Sequence, residues 1–365
     1  MRFQVLDIIP HQADPVTGAQ VDTATRFAQV LETAVRAEEL GFDSFSVGER
    51  HAGEFISSSP AVVLGAIAAQ TRRIKLHTGV VVLSILDPVR VAEDFATVDQ
   101  LSGGRLELGI GKGNEVLQYP LFGRDLDDQW DLLEENYQLL SRLLTEDEVS
   151  FSGRFRADLH QVRTTPRPFQ PGIRIWHGSA TSLRSAELAA RYGDPLFTAN
   201  AIQPRENYLR LINHYKEHYE QAGHDPARRY IGSGSGAGGV YLADSTAQAI
   251  KQFGPVYEGL TARRDVPGNN TPYRSIEHAV AEGPLLVGSP EDVAAKIIDY
   301  HTSYGHDLQS ISLPTTLPFA GQLETLERFA TQVIPLISTP TTLWSEHDQQ
   351  PRANRVHAPL KEHAA

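Results

Sequence analysis

Short apolar runs recur along the chain, and each is followed by a longer stretch whose apolar positions repeat every three to four residues. The short runs are FQVLDII, SFSVG, IKLHTGVVVL, LELGIG, IRIWHGS, PLFTAN, YIGSGSGAGGVYLA and LQSISLPT, and their length and β-branched content predict eight strands. Between them RFAQVLETAVRAEELG, VRVAEDFATVDQLS, DLLEENYQLLSRLLT, SLRSAELAARYG and RENYLRLINHYKEHYEQAG predict amphipathic helices, most of which stop at a glycine. Strand and helix alternating eight times predicts an α/β protein with a parallel sheet. That count fits a closed (β/α)8 TIM barrel over residues 1–338 better than an open doubly wound sheet.

Two segments break the alternation. VSFSGRFRADLHQV carries turn signals and alternating polarity, which predicts a hairpin near 149–162 inserted close to the barrel mouth. Residues 253–284 are rich in proline, glycine and asparagine, and a connection of that length predicts a functional lid. The tail 339–365 is polar and unpatterned, and a loosely ordered end is expected.

Composition narrows the functions that such a barrel could carry. A net charge of -12 argues against a nucleic-acid surface, which needs a basic face. No run approaches the length of a membrane span, and the start MRFQVLDIIPHQADP is too short in apolar residues for a secretory signal, so a cytoplasmic protein is expected. The absence of cysteine removes thiolate chemistry. Fourteen histidines without H-x-H or H-E-x-x-H spacing give a metal centre little support, unless His11, His51 and His177 meet at the mouth.

In a barrel the strand C-termini carry the chemistry, because the interior is packed. After the second strand stand Glu49, Arg50 and His51, which read equally as an active-site trio or as a salt-bridged rim. After the fourth, GIGKGNE surrounds Lys112 with glycines and ends at Asn114, a tight turn or an anion site but not a Walker motif. After the fifth, His177, Gly178, Ser179, Thr181 and Ser182 stand where a helix begins, so hydroxyls there cap the helix, hold a phosphate, or do both. Thr78 and Gly79 lie within the third run, and a glycine inside a strand marks a bulge or a close approach by a ligand. The aromatic residues Tyr119, Trp130, Tyr137 and Trp176 are expected mainly in the core.

GFDSFSVGERHAGEF, HTGVVVLSILDPVRVAEDFATVDQLSGGRLELGIGKGN, AARYGDP and LETLERFATQVIPLI together resemble the bacterial luciferase-like flavin-dependent monooxygenases. The resemblance implies reduced FMN (FMNH2) as co-substrate, O2, a flavin C4a-hydroperoxide as oxidant, and a small organic substrate. It also implies a separate NAD(P)H-flavin reductase and a homodimer. By the same resemblance the peptide between Gly79 and Val80 is cis and backs the flavin ring. Lys112, Asn114 and the segment from His177 to Ser182 then hold the flavin, while Glu49, Arg50 and His51 orient flavin and substrate. Two positions depart from the family pattern: Arg50 stands where a first histidine is usual, and Lys112 where an arginine is usual. The alternatives are an F420-dependent hydride-transfer enzyme, which the same barrel supports, and a non-catalytic flavin-binding protein.

Overall fold

Eight parallel strands close on themselves: β1 (Arg2–Asp7), β2 (Ser44–Val47), β3 (Lys75–Thr78), β4 (Leu106–Gly111), β5 (Arg174–Ser179), β6 (Leu196–Thr198), β7 (Ile231–Ser233) and β8 (Leu308–Ile311). Each pairs with its chain neighbour, and β8 returns to β1 with Arg2 opposite Leu308, which completes the (β/α)8 barrel expected from the alternation. The computed structural model describes residues 1–13, 18–236, 238–262 and 271–337. The tail expected from 339 onward lies outside the described residues.

The outer layer is α1 (Thr23–Glu39), α2 (Pro60–Gln70), α3 (Pro88–Ser102), α4 (Gln129–Thr145), α5 (Leu183–Tyr192), α6 (Arg205–Gln221), α7 (Thr246–Ala262), α8 (Pro290–Tyr304) and α9 (Phe319–Arg328). Capping follows the local sequence: Asp87 accepts from the amides of Val89 and Arg90 at the start of α3, and Gly103 ends it in the left-handed conformation. Alternate strand residues face the two sides of the wall. Leu106, Leu108, Ile110 and Ile175 pack with helix residues such as Phe95 and Leu140, whereas Trp176, Phe197 and Leu308 meet in a separate inner cluster. Among the described residues no helix is long and apolar enough to cross a membrane.

Two expectations change in the structure. The seventh run stops at Ser233, and Tyr241–Leu242 pairs instead with Val287–Gly288 outside the barrel. The glycines between them allow backbone contact that a side chain would block: a Cβ on Gly236 would lie 2.5 Å from Leu285 Cα. Residues 253–284 are not one long loop, because they begin inside α7 and include a short helix at Ile276–Ala281. Phe253, Tyr257, Tyr273 and Ile276 build a small core of their own there. Residues 263–270 of that stretch lie outside the described residues. The hairpin near 149–162 is present as Val149–Phe151 against Leu159–Val162. Its tip reaches the mouth side of α4, where Glu135 accepts from the amides of Arg154 and Phe155.

The inner wall holds a buried polar network. Trp176 donates to Glu107 at 2.7 Å, Arg174 lies 3.5 Å from the same carboxylate, and Ser46 is 3.3 Å from His77 Nδ1. Burial pushes His77 down to about 4. A group whose pKa is depressed in the folded state is protonated first in the unfolded chain, so its contribution is present above the ordinary value near 6.5 and is lost as pH falls toward 4. Burial raises Asp43 and Asp307, whose effect has the opposite sign. Comparing the protein with His77→Gln cancels those carboxylates. In urea titrations at pH 7, 6 and 5 the unaltered protein is expected to lose stability relative to His77→Gln by up to about 1.4 kcal/mol per pH unit. Parallel pH profiles for the two proteins would contradict a buried neutral imidazole.

Candidate active site

The third run is divided because the peptide between Gly79 and Val80 is cis, and the chain resumes as Val81–Val82 alongside β4. The Thr78 hydroxyl closes the gap: it donates to the Gly109 carbonyl at 2.7 Å and accepts from the Gly109 amide at 2.8 Å. The glycines of β4 and β5 follow from this bulge. A Cβ on Gly109 would collide with the Thr78 carbonyl, and Cβ atoms on Gly111 and Gly178 would lie 2.9 and 2.5 Å from the Val80 methyls. Val80 therefore occupies a cradle that three strands build at the mouth. Of the three glycines around Lys112, Gly111 serves this packing, while Gly113 takes a left-handed φ of 73°.

The bulge is tied to the loop after β2. Glu49 is buried; its amide donates to the Val80 carbonyl at 3.0 Å, and its carboxylate accepts from the Val82 amide at 2.8 Å and contacts His51 Nε2 at 2.7 Å. The other side of the His51 ring meets Phe122 edge-on, with centroids 4.7 Å apart. Two fixed neighbours thus set the imidazole plane. Arg50 points a different way, bonding Asn114 at 2.6 Å and pairing with Glu115, and its guanidinium lies over Phe55. It links the loops after β2 and β4, and desolvation by burial holds its pKa below the ordinary value.

Lys112 is the cation of this mouth. Its Nζ donates to the Gly113 carbonyl at 3.0 Å and lies 5.5 Å from the centre of the Trp130 ring. The other cation on Trp130 is Arg184, which Asp131 and Glu134 neutralise. Among the described residues no carboxylate pairs with Lys112, and desolvation lowers its pKa. Beside it α5 begins at Ser182, whose side chain makes no capping bond. The Ser179 hydroxyl is used within the turn, accepting from the Ser182 amide at 3.0 Å and donating to its carbonyl at 3.1 Å. Thr181 is exposed.

His177 lies apart from these groups. It sits on the helix-facing side of β5, its ring against Tyr137 with centroids 4.6 Å apart and Nε2 3.2 Å from Asp194. Asp194 also accepts from Tyr137, so that β5, α4 and the chain after α5 meet in a buried knot. His11 bonds the Val21 carbonyl, and His11, His51 and His177 do not form a metal-ligand group. Tyr119, Tyr137 and Trp176 are core residues, as expected, while Trp130 is half-buried at the mouth. Sequence reasoning missed Glu115 and Arg184. Glu115 closes the GIGKGNE run and Arg184 stands two residues after Ser182, but only contacts across loops reveal what they pair with.

The donor set fits a phosphorylated planar cofactor. An unpaired lysine and a helix start with an idle hydroxyl suit a phosphate. The Val80 cradle offers an apolar surface for a ring at the same mouth. Residues 1–307 match the family described as luciferase-like monooxygenase. The 4-hydroxyprotoasukamycin monooxygenase of Streptomyces nodosus subsp. asukaensis is 28% identical over 285 residues, 75% of this chain and 77% of that one. Among solved structures, the monooxygenase RslO1 from Streptomyces bottropensis superposes with a TM-score of 0.81 at 28% identity, covering 93% of this chain and 100% of that one. The oxygenating constituent of 3,6-diketocamphane monooxygenase from Pseudomonas putida, in complex with FMN, shares the fold with a TM-score of 0.75 at 20% identity, covering 93% and 99%.

Proposed function

This chain belongs to the luciferase-like monooxygenases, a family of flavin-dependent oxidoreductases, and from that premise we propose that it is the oxygenating component of a two-component system. It takes reduced FMN from a separate NAD(P)H-flavin reductase and uses O2 on a small organic substrate. The observation that carries the reading is Lys112, a desolvated cation with no carboxylate partner among the described residues, which shares the Trp130 ring with Arg184 of α5 and directly follows Gly111, the glycine on which Val80 packs. The FMN in the solved 3,6-diketocamphane structure supports the choice of flavin.

When bound, reduced FMN supplies the oxygen-activating chemistry. Lys112, the Ser182 hydroxyl and the first amides of α5 hold its phosphate. Val80 and the glycines beneath it position the ring. Glu49 acts as a positioning residue, because one carboxylate holds both the bulge at Val82 and the ring of His51. His51, oriented by Glu49 beside the bulge, is the group placed to hold or move a proton. Arg50, fastened to Asn114 and Glu115, closes the gap between two loops and limits water at that side.

The reading is tested by anaerobic titration with FMN, reduced FMN and F420, followed by turnover with a flavin reductase, NADH and 18O2 over a panel of ketones, terpenes, aldehydes and phenols. Stoichiometric binding of reduced FMN and one 18O atom in a product are expected. Hydride transfer to or from F420 without flavin binding would replace this reading with the deazaflavin one. Flavin binding with no product above the reductase background would leave a flavin carrier.

A further inference from the structure

On the outer face of the barrel, away from the mouth, Glu187 of α5 and His214 and His218 of α6 each bring one ligand atom within 4.8 Å of the others. We propose that these three residues form a binding site for a divalent transition metal, with zinc as the best fit. His214 and His218 are four residues apart on one helix and so share a face. Their ring centroids are 4.0 Å apart with planes tilted by 39°. Glu187 reaches them from the neighbouring helix, with Oε1 2.7 Å from His214 Nε2.

Two features make this more than a surface ion pair. The first is the fixed distance between the helices: Ala186, Ala189 and Ala190 of α5 pack against Leu211, Ile212 and Tyr215 of α6, all buried. Small residues on α5 let α6 approach, and this apolar seam sets the spacing of the three side chains before any ion arrives. The second is the orientation of His218. Its Nδ1 lies 2.9 Å from the His214 carbonyl, where it donates, which leaves Nε2 as the bare nitrogen. Metal-binding imidazoles have this arrangement, since a carbonyl on one ring nitrogen settles the tautomer and the ring angle for the other.

The ligand chemistry selects the ion. Two imidazoles and a carboxylate suit zinc, copper or nickel, whereas calcium and magnesium need more oxygens. His214, with side-chain exposure of 22%, and Glu187, with 40%, stay accessible from solvent. An ion can enter, and water can complete a tetrahedral shell. Binding replaces the direct His214–Glu187 contact of the free protein. The ion would pin α5 to α6 about 7.5 Å along the helix axis from Ser182, on the helix that opens onto the mouth.

The test uses the full chain without a polyhistidine tag. Zinc is titrated against a chromophoric chelator, and cobalt(II) is followed by its visible absorption. One equivalent per chain is expected, with an affinity at least ten-fold weaker in His214→Ala and in His218→Ala, and a smaller loss in Glu187→Gln. Zinc should raise Tm in the unaltered protein and not in the double histidine variant, while calcium and magnesium raise neither. His214→Gln with His218→Gln, checked by circular dichroism, keeps the result interpretable if the alanines disturb the helix pair. Failure of the unaltered chain to bind a stoichiometric ion overturns the site. Equal binding by the double variant also overturns it, because the ion would then be held elsewhere.

Discussion

Lys112→Ala is expected to weaken FMN by roughly 10- to 100-fold and to leave riboflavin within about two-fold, because a charge-assisted hydrogen bond to phosphate is worth roughly 1.5–3 kcal/mol. The contrast depends on the state of this lysine before ligand arrives. Its Nζ is partly desolvated and donates to the Gly113 carbonyl, and among the described residues no carboxylate neutralises it, so the phosphate does not compete with an ion pair there. Arg184 is the internal control: Asp131 and Glu134 already satisfy it, and Arg184→Ala should affect FMN much less. Fluorescence titration with both flavins reads the effect. An equal loss for FMN and riboflavin would move the phosphate elsewhere and make Lys112 a packing residue against Trp130. Lys112→Arg should bind FMN at least as well as the lysine if the site has room for a two-pronged donor.

His51→Gln is expected to bind FMN within about two-fold of the unaltered protein while most of the reducing equivalents pass to H2O2 instead of product, since proton positioning by one residue contributes roughly 10²- to 10⁴-fold. The structure explains why binding and chemistry should separate. The imidazole is held by Glu49 and the Phe122 ring beside the bulge, whereas the cation and helix start proposed to receive the phosphate lie after β4 and β5. The measurement is the ratio of product to NADH consumed, with H2O2 determined in parallel. Unchanged coupling would make His51 a rim residue that Glu49 merely satisfies. Glu49→Gln should then be compared: it keeps the size of the side chain and an oxygen for the Val82 amide, so a coupling defect there without loss of FMN would assign Glu49 to orienting His51.

Much of the fold was legible because strand and helix periods differ and the chain changes between them cleanly. The first six runs and the last became barrel strands near their expected places. α2 carried little periodic signal because its apolar residues surround the helix, as PAVVLGAIAAQ shows. Residues 253–284 read as one connection from their composition, but 253–262 continue α7. Pro255 and the glycines of 253–284 pointed to a lid-like loop, while Phe253, Tyr257 and Tyr273 find one another and form a core that a linear reading cannot foresee.

The candidate site divided in the same way. By itself the sequence determined the barrel class, the strand ends on which chemistry would fall, and the resemblance that placed a bulge at Gly79 and Val80. These follow from local periods and contiguous motifs. Tertiary structure alone decided which way each side chain points. His177 and Gly178 are adjacent in sequence, yet a strand sends successive residues to opposite faces: Gly178 faces Val80 at the mouth, while His177 ends in a knot with Tyr137 and Asp194. Glu49, Arg50 and His51 are consecutive, but Arg50 crosses to Asn114 and Glu115 while the other two stay together. In the sequence, Gly109 and Gly111 read as part of a tight turn or anion site around Lys112, and Gly178 as part of a helix start. Their cause is the Thr78 carbonyl and the Val80 methyls, and such steric limits exist only once three strands are brought side by side.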